Sequence, residues 1–413
     1  MARDLSVMGQ TERVATVADA AEQTILRPAA PIAENSRSRS DPLIQRWQWV
    51  MFPLVLFFCT RIALFGFAQI SMTLVPTLAF EFGSREFIRE YPFLDGLCRW
   101  DCWHFGTIAR DGYTEAKWTN FFPLFPLLVR GLALLTGMPI NLALIVVPNL
   151  ACLGAFLVIY RMFMHLADEQ SARWGLMLLA AYPFAFFQAM GYPESLMIFT
   201  SALALWLALR GNHIAAGVAL GFGVLGRHLT MFAGAGLLVA QIRQRGLHPR
   251  RLLMSRSILG LVIPWIGLAL YSFYQYRVFG NPMAFAEARD QPPWSELAWW
   301  GLRDLLAATE YNEHIPVMYS YIPFALLVTV GAISLFFKNQ WIELAAFGMI
   351  FIVMMWGIGM WGLGRYTASC WPAFLPLGVW LAKHPHWQGP VIALLALFQG
   401  LFFFLHAHMF PIL

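Results

Sequence analysis

Residues Cys98–Arg130 read CRWDCWHFGTIARDGYTEAKWTNFFPLFPLLVR. Asp101, His104, Arg110, Asp111, Tyr113, Glu115 and Lys117 gather in this stretch, and its end turns through Pro123 and Pro126 into an apolar run. Ionisable groups are costly next to hydrocarbon and are kept there for binding or chemistry. A polar, aromatic loop between long hydrophobic runs therefore predicts a membrane protein with a working face at the bilayer surface.

The rest of the chain agrees. Of its 413 residues, 59% are hydrophobic and 12% charged, with a mean hydropathy of +0.59. Soluble domains carry about 25% charged residues. The formal charge of +5 follows from Lys and Arg on cytoplasmic loops. No basic stripe with interleaved aromatics lies on a polar segment, which excludes nucleic acid as a partner. Cys59, Cys152 and Cys370 lie in or beside apolar runs, where Cys packs as a small hydrophobe. Cys98 and Cys102 flank Asp101; the ligand set of a zinc site is absent, and a disulfide between them stays open on local backbone geometry.

Arg37, Arg39 and Arg46 precede the first apolar run. No hydrophobic signal core lies near Met1, so residues 1–46 read as a disordered cytoplasmic tail. Residues 47–413 then form the membrane domain. A first span near 47–75 leaves residues 76–122 as a large extracytoplasmic loop. The segment Gln241–Arg256, QIRQRGLHPRRLLMSR, is the strongest cytoplasmic marker, with Lys338 and Lys383 marking two further inside turns. Later spans fall near 257–277, 315–337, 341–360, 366–382 and 389–407. The run 213–242 breaks at Gly226-Arg227-His228, so two short helices meet there with both ends cytoplasmic. Pro123–Gly137 reads as a slanted or interfacial helix. This threading brings Asp101, His104, Asp111, Glu194, Arg289, Asp290 and Arg365 to one extracytoplasmic face. No Walker or GxGxxG phosphate loop accompanies the spans.

Arg99-Trp100-Asp101, Ile108-Ala109-Arg110-Asp111-Gly112-Tyr113 and Phe121-Phe122-Pro123-Leu124-Phe125-Pro126 follow one another here as an aromatic-Asp pair, an IA-x-x-GY element and an FFP-x-x-P element. With Tyr192-Pro193-Glu194-Ser195-Leu196, Gly226-Arg227, Asn281-Pro282-Met283-Ala284-Phe285 and Gly364-Arg365-Tyr366, they resemble the PIG-V family of polytopic mannosyltransferases in the GT-C superfamily. The order of these short elements from about residue 47 to 382 carries the resemblance. Departures are Cys102 where Gly is usual, Asn281 in place of an acidic residue, and His228 where Pro is common. The resemblance implies an all-α, GT-C-like transmembrane helical bundle of about ten spans. It further implies an inverting glycosyltransferase that moves a sugar, mannose or a relative, from a polyprenyl-phosphate-linked donor to a membrane-proximal glycolipid or glycoprotein. The setting would be a bacterial cell membrane, or the endoplasmic reticulum membrane of a eukaryote.

Asp101 is the first candidate base, since inverting transfer needs a carboxylate to take the acceptor hydroxyl's proton and family position supports it. Its ordinary alternative is a helix cap. Asp111 is the second catalytic candidate, beside its simpler reading as a turn residue. No cofactor is required, and a divalent cation at Asp111 stays open. His104, three residues past Asp101, would share its helix face and reach the donor phosphate or tune the carboxylate. Trp103 and Tyr113 are candidates for sugar contact, although Trp is also common at bilayer boundaries. Arg365 and Arg227 are the donor-phosphate candidates, because a guanidinium fork matches phosphate and stays charged. A snorkelling Arg365 and an Arg227 salt bridge across the helix break are the alternatives. Glu194, isolated among apolar residues, and Tyr366 complete the substrate-binding set. The rival class is a transporter or flippase of a lipid-linked saccharide, or a non-catalytic subunit of a glycosylation complex. Its polar groups would line a two-sided path at mid-membrane instead of gathering on one face.

Overall fold

In the computed structural model the described residues are 42–75, 92–248, 250, 255–288, 320–358, 362–410 and 412. The expected tail up to residue 41, most of the first outer loop before α2, and Arg289 and Asp290 lie outside them. Every regular element among the described residues is helical. In chain order these are α1 (Pro42–Leu74), α2 (Pro92–Gly96), α3 (Asp101–Asp111), α4 (Leu124–Thr136), α5 (Ile140–Leu166), α6 (Glu169–Ala181), α7 (Glu194–Leu209) and α8 (His213–Gly226). There follow α9 (Ala233–Arg245), α10 (Leu259–Phe279), α11 (Ala284–Glu287), α12 (Ile322–Ser334), α13 (Ile342–Ile358), α14 (Leu363–Ser369), α15 (Phe374–Lys383) and α16 (Pro385–Ala407).

A crossing of ~30 Å of hydrocarbon takes about 20 apolar residues. Five stretches among the described residues meet that test: Trp49–Leu74, Ile140–Leu166, Arg256–Phe279, Asn339–Gly357 and Pro385–Ala407. Against the expected ten or so crossings, four more apolar helices are shorter: Leu124–Thr136, Glu194–Leu209, His213–Gly226 and Ile322–Phe337. The chain is an integral membrane protein. At 13 residues, α4 spans roughly 20 Å, less than the hydrocarbon thickness.

The short helices matter most for the site, because α7 begins at Glu194 and α8 ends beside Arg227. The expected break between α8 and α9 is present. α8 stops at Gly226, Arg227 is extended, and residues His228–Phe232 make a short 3₁₀ turn before α9 runs back. At the far end of this hairpin His213 Nε2 lies 2.9 Å from Gln244 Oε1. α8 is held against α10 where Gly217 meets the Gly260 backbone. A Cβ on either residue would overlap the other helix, so small residues permit the contact.

One expected span differs. Residues 366–382 form α14, a turn at Cys370, a 3₁₀ turn Trp371–Ala373, and α15. Pro372 cannot supply the N–H that a continuous helix would need there. Arg365 thus lies inside the short helix α14. Buried aromatic rings support it from below: Phe184 stacks on Phe402 at 4.9 Å between centroids, and Gly364 is packed so closely on Phe184 that no side chain would fit.

Candidate functional site

Asp101 is presented by a constrained corner. Trp100 has φ 52°, a left-handed conformation uncommon for a non-glycine residue. Its surroundings fix it. Arg99 donates to both oxygens of Asp95 at 3.0 and 2.7 Å and to the Ala407 carbonyl at 2.9 Å. The Tyr192 hydroxyl donates to the Arg99 carbonyl at 2.8 Å. Cys98 and Cys102 are disulfide-bonded, with Cα atoms 5.2 Å apart. The Cys102 sulfur packs directly on Gly191, where a Cβ would collide with it. The corner is thus tied to the start of α7 and the end of α16.

From that corner Asp101 opens α3 as its first residue, and the position before it makes no side-chain cap bond. The carboxylate is not spent on capping. It accepts a hydrogen bond from Arg365 Nη1 at 2.7 Å. Arg365 Nε lies 3.2 Å from Glu194 Oε1, and the same oxygen accepts from Arg227 Nη1. Four charges thus form a chain Asp101–Arg365–Glu194–Arg227, assembled from α3, α14, α7 and the α8–α9 break. The side chain of Glu194 is 1% exposed, Arg365 11%, Arg227 12% and Asp101 26%, so the pairs open toward Asp101. Tyr366 lies beneath both cations, with its ring centroid 5.0 Å from the Arg227 guanidinium carbon and 5.6 Å from that of Arg365. Arg365 is buried between carboxylates and does not snorkel. Arg227 does make the salt bridge at the helix break.

Glu194 Oε2 is buried with no hydrogen-bond partner among the described residues. An orphaned buried carboxylate oxygen is uncommon. It offers an acceptor to a hydroxyl entering the site.

Of the other sequence candidates, His104 stands beside the cluster. Its ring packs on Trp118 and Phe121 at 4.6 and 5.0 Å. Trp103, 36% exposed, stacks edge-on against His104 and Trp118. Tyr113 is set apart, its hydroxyl donating to the Phe121 carbonyl among Tyr271 and Tyr274. Asp111 ends α3 on an exposed edge, ten residues and so roughly 15 Å along the helix from Asp101. Sequence reasoning gave no role to Phe187 or Asp95 and placed Tyr192 only within a motif. Yet Tyr192 and Phe187 flank the Arg365 guanidinium at 5.5 and 6.0 Å.

Among the described residues no three His, Cys, Asp or Glu side chains converge to hold a cation. The two clustered carboxylates are paired with Arg365 and Arg227, and no step is assigned to a cation.

Burial pushes the Asp101 carboxyl up, but the charge and hydrogen bond of Arg365, with His104 and Arg227, hold it below the ordinary carboxylate range. Burial pushes the His104 imidazole down, opposed by Asp101 and reinforced by Lys117. Both groups therefore release protons more readily in the folded chain than in the unfolded one. Their contribution to stability is in place above their unfolded values and is lost as pH falls through the lowered folded values. Thermal unfolding on acidification should show the gap between wild type and Asp101→Asn narrowing below the carboxylate range. A gap that widens toward acid would contradict the pairing.

The chain is 28% identical over 264 residues to GPI alpha-1,6-mannosyltransferase 2 of Cricetulus griseus, covering 55% of this chain and 50% of the relative. It spans about half the length of the curated relative it matches. Among solved structures it is similar to the archaeal oligosaccharyltransferase AglB from Archaeoglobus fulgidus in complex with an inhibitory peptide and a dolichol-phosphate. That match has a TM-score of 0.49 and 11% identity, over 89% of this chain and 56% of the other. The apo form of the Archaeoglobus fulgidus enzyme gives a TM-score of 0.47 and 12% identity, over 89% and 56%. Asp101, Glu194 and Arg227 lie within the region matched by a family model, and Arg365 and Tyr366 just beyond it. That model, of the mannosyltransferase (PIG-V) family, matches residues 49–358, and the chain belongs to this family.

Proposed function

We propose that this chain transfers mannose, or a closely related sugar, from a polyprenyl-phosphate-linked donor to a membrane-proximal glycolipid or glycoprotein on the extracytoplasmic face. The observation that carries the reading is the four-membered charge chain at one end of the bundle. Arg243 and Arg245 in the last turn of α9 and the His213–Gln244 contact lie at the other end of the α8–α9 hairpin, which supports a cytoplasmic side opposite the site and a cytoplasmic N-terminus.

The chemistry follows from how the charges are joined. The acceptor hydroxyl oxygen attacks the anomeric carbon, and the bond from that carbon to the phosphate oxygen breaks. The electron pair stays on the leaving prenyl phosphate, and the hydroxyl proton passes to Asp101. As Asp101 is neutralised, Arg365 loses its closest counter-charge at the moment the leaving phosphate gains negative charge. Arg365 and Arg227 are positioned to take up that charge without reorganising. Glu194 keeps both guanidiniums in place throughout, and its free oxygen can accept from a sugar hydroxyl. Tyr366, Tyr192 and Phe187 fix the planes of the cations. Trp103 and His104 offer a partly exposed aromatic edge against which a sugar ring can lie.

The donor assignment is tested with purified protein in vesicles. Polyprenyl-phosphate-mannose and a membrane acceptor should yield mannosylated product, while GDP-mannose should give none unless a separate synthase is added. Direct use of the nucleotide sugar by the pure protein would overturn the assignment.

A further inference from the structure

A second cavity lies apart from the charge chain. It is about 330 Å³ and is bounded by the end of α3, α4, α8 and α10, with Ile108, Leu127, Arg130, Leu225, Leu270 and Tyr274 on its walls. Ile108 is seven residues past Asp101 on the same helix, roughly 10 Å away. The walls are apolar and face outward: Leu127 is 60% exposed and Leu270 64%.

Arg130 is the anomaly. It sits at the seventh position of α4, among Leu, Val and Gly, on a side the bundle leaves open. No ion pair, hydrogen bond or ring contact holds it among the described residues. A cation on an otherwise apolar membrane helix is expensive unless it meets a partner. Tyr274, 40% exposed at the same cavity, has a hydroxyl with no hydrogen-bond partner among the described residues. The cavity therefore combines an unmatched guanidinium, a spare hydroxyl and an apolar channel open to the surroundings of the bundle.

We infer that this groove is a binding site for an anionic phospholipid. Its phosphodiester would lie on Arg130 and Tyr274, and an acyl chain along Leu127, Leu225 and Leu270. A guanidinium fork matches two phosphate oxygens, and the outward-facing apolar walls suit a lipid chain. The site stands whether or not the transferase reading does, because lipid retention is measured without turnover.

The full-length protein is reconstituted into nanodiscs of equal phosphatidylcholine and phosphatidylglycerol, released, and weighed with its bound lipid by native mass spectrometry. Wild type should retain phosphatidylglycerol over phosphatidylcholine by about tenfold, because both lipids offer Arg130 a phosphodiester but the choline ammonium of phosphatidylcholine repels the guanidinium and brings no headgroup hydroxyl to Tyr274. Arg130→Gln should abolish the preference and Arg130→Lys restore part of it. Arg277→Gln, on α10 but outside the groove, should leave it unchanged. Leu127→Trp, which keeps the charge and fills the channel, should reduce retention of phosphatidylglycerol. Equal retention of the two lipids by wild type, or an undiminished preference in Arg130→Gln or Leu127→Trp, would overturn the site. A loss in Arg277→Gln as large as in Arg130→Gln would overturn it too, by showing general surface charge at work.

Discussion

Asp101→Asn is expected to give a folded, donor-binding protein whose turnover falls by ~10²–10⁴-fold, the usual effect of losing a general base. Asn keeps the shape of Asp and can still accept from Arg365 Nη1, so the corner at Trp100 and the position of α3 should persist. What it cannot do is take a proton, or release Arg365 by becoming neutral. The donor KM should therefore change little while kcat collapses, which separates chemistry from binding. The capping explanation of Asp101 no longer competes, because its carboxylate is turned to Arg365, 2.7 Å away. Asp111→Asn is the matched control and should be near wild type, since Asp111 is exposed at the far end of the same helix. Normal turnover in well-folded Asp101→Asn would move the base to Glu194, whose Oε2 is unoccupied.

The comparison of sequence with structure turns on which signals are local. Helix α1, the end of α10 and the break at Gly226-Arg227 could be read from apolar run length and from the breaker itself, because each depends on a few neighbouring residues. Asp101, Glu194, Arg227 and Arg365 could be named as unusual because a charge among apolar residues is costly wherever it lies. Their order along the charge chain could not be read. Arg365 is 264 positions from Asp101, and nothing in either neighbourhood says which carboxylate it meets first. Pro372 was visible, yet a single Pro is tolerated inside α1, α5, α10 and α16, so the sequence did not reveal that this one splits the span. Tyr192 and Phe187 escaped as site residues for a different reason. Aromatic residues make up 15% of the chain, and only three-dimensional packing distinguishes the two that flank Arg365 from the many in the core. The disulfide was open because Cys98 and Cys102 are four residues apart, and the Trp100 backbone decides whether they meet.

Glu194 is the residue whose loss should cost most in stability. It is 1% exposed and is the shared counter-ion of Arg227 and Arg365. In Glu194→Gln the Asp101–Arg365 pair survives, but Arg227 is left in a largely buried position facing a second cation. Removing one partner of a buried ion pair costs about 3–5 kcal/mol, so the variant should show a much lower unfolding temperature and poor recovery from membranes. The double variant Glu194→Gln/Arg227→Gln removes the stranded charge as well and should regain a substantial part of that loss, giving a coupling energy that a double-mutant cycle reads directly. The cycle also separates holding the fold from performing the reaction. If Arg227 acts only as the brace of the helix break, the restored double variant should regain donor binding along with stability. If Arg227 takes up phosphate charge, the double variant should fold and yet bind the polyprenyl-phosphate donor weakly, with Asp101 and Arg365 intact. Independent, additive losses in the two single variants would show that Glu194 and Arg227 do not depend on each other, and the charge chain would then lose its third link.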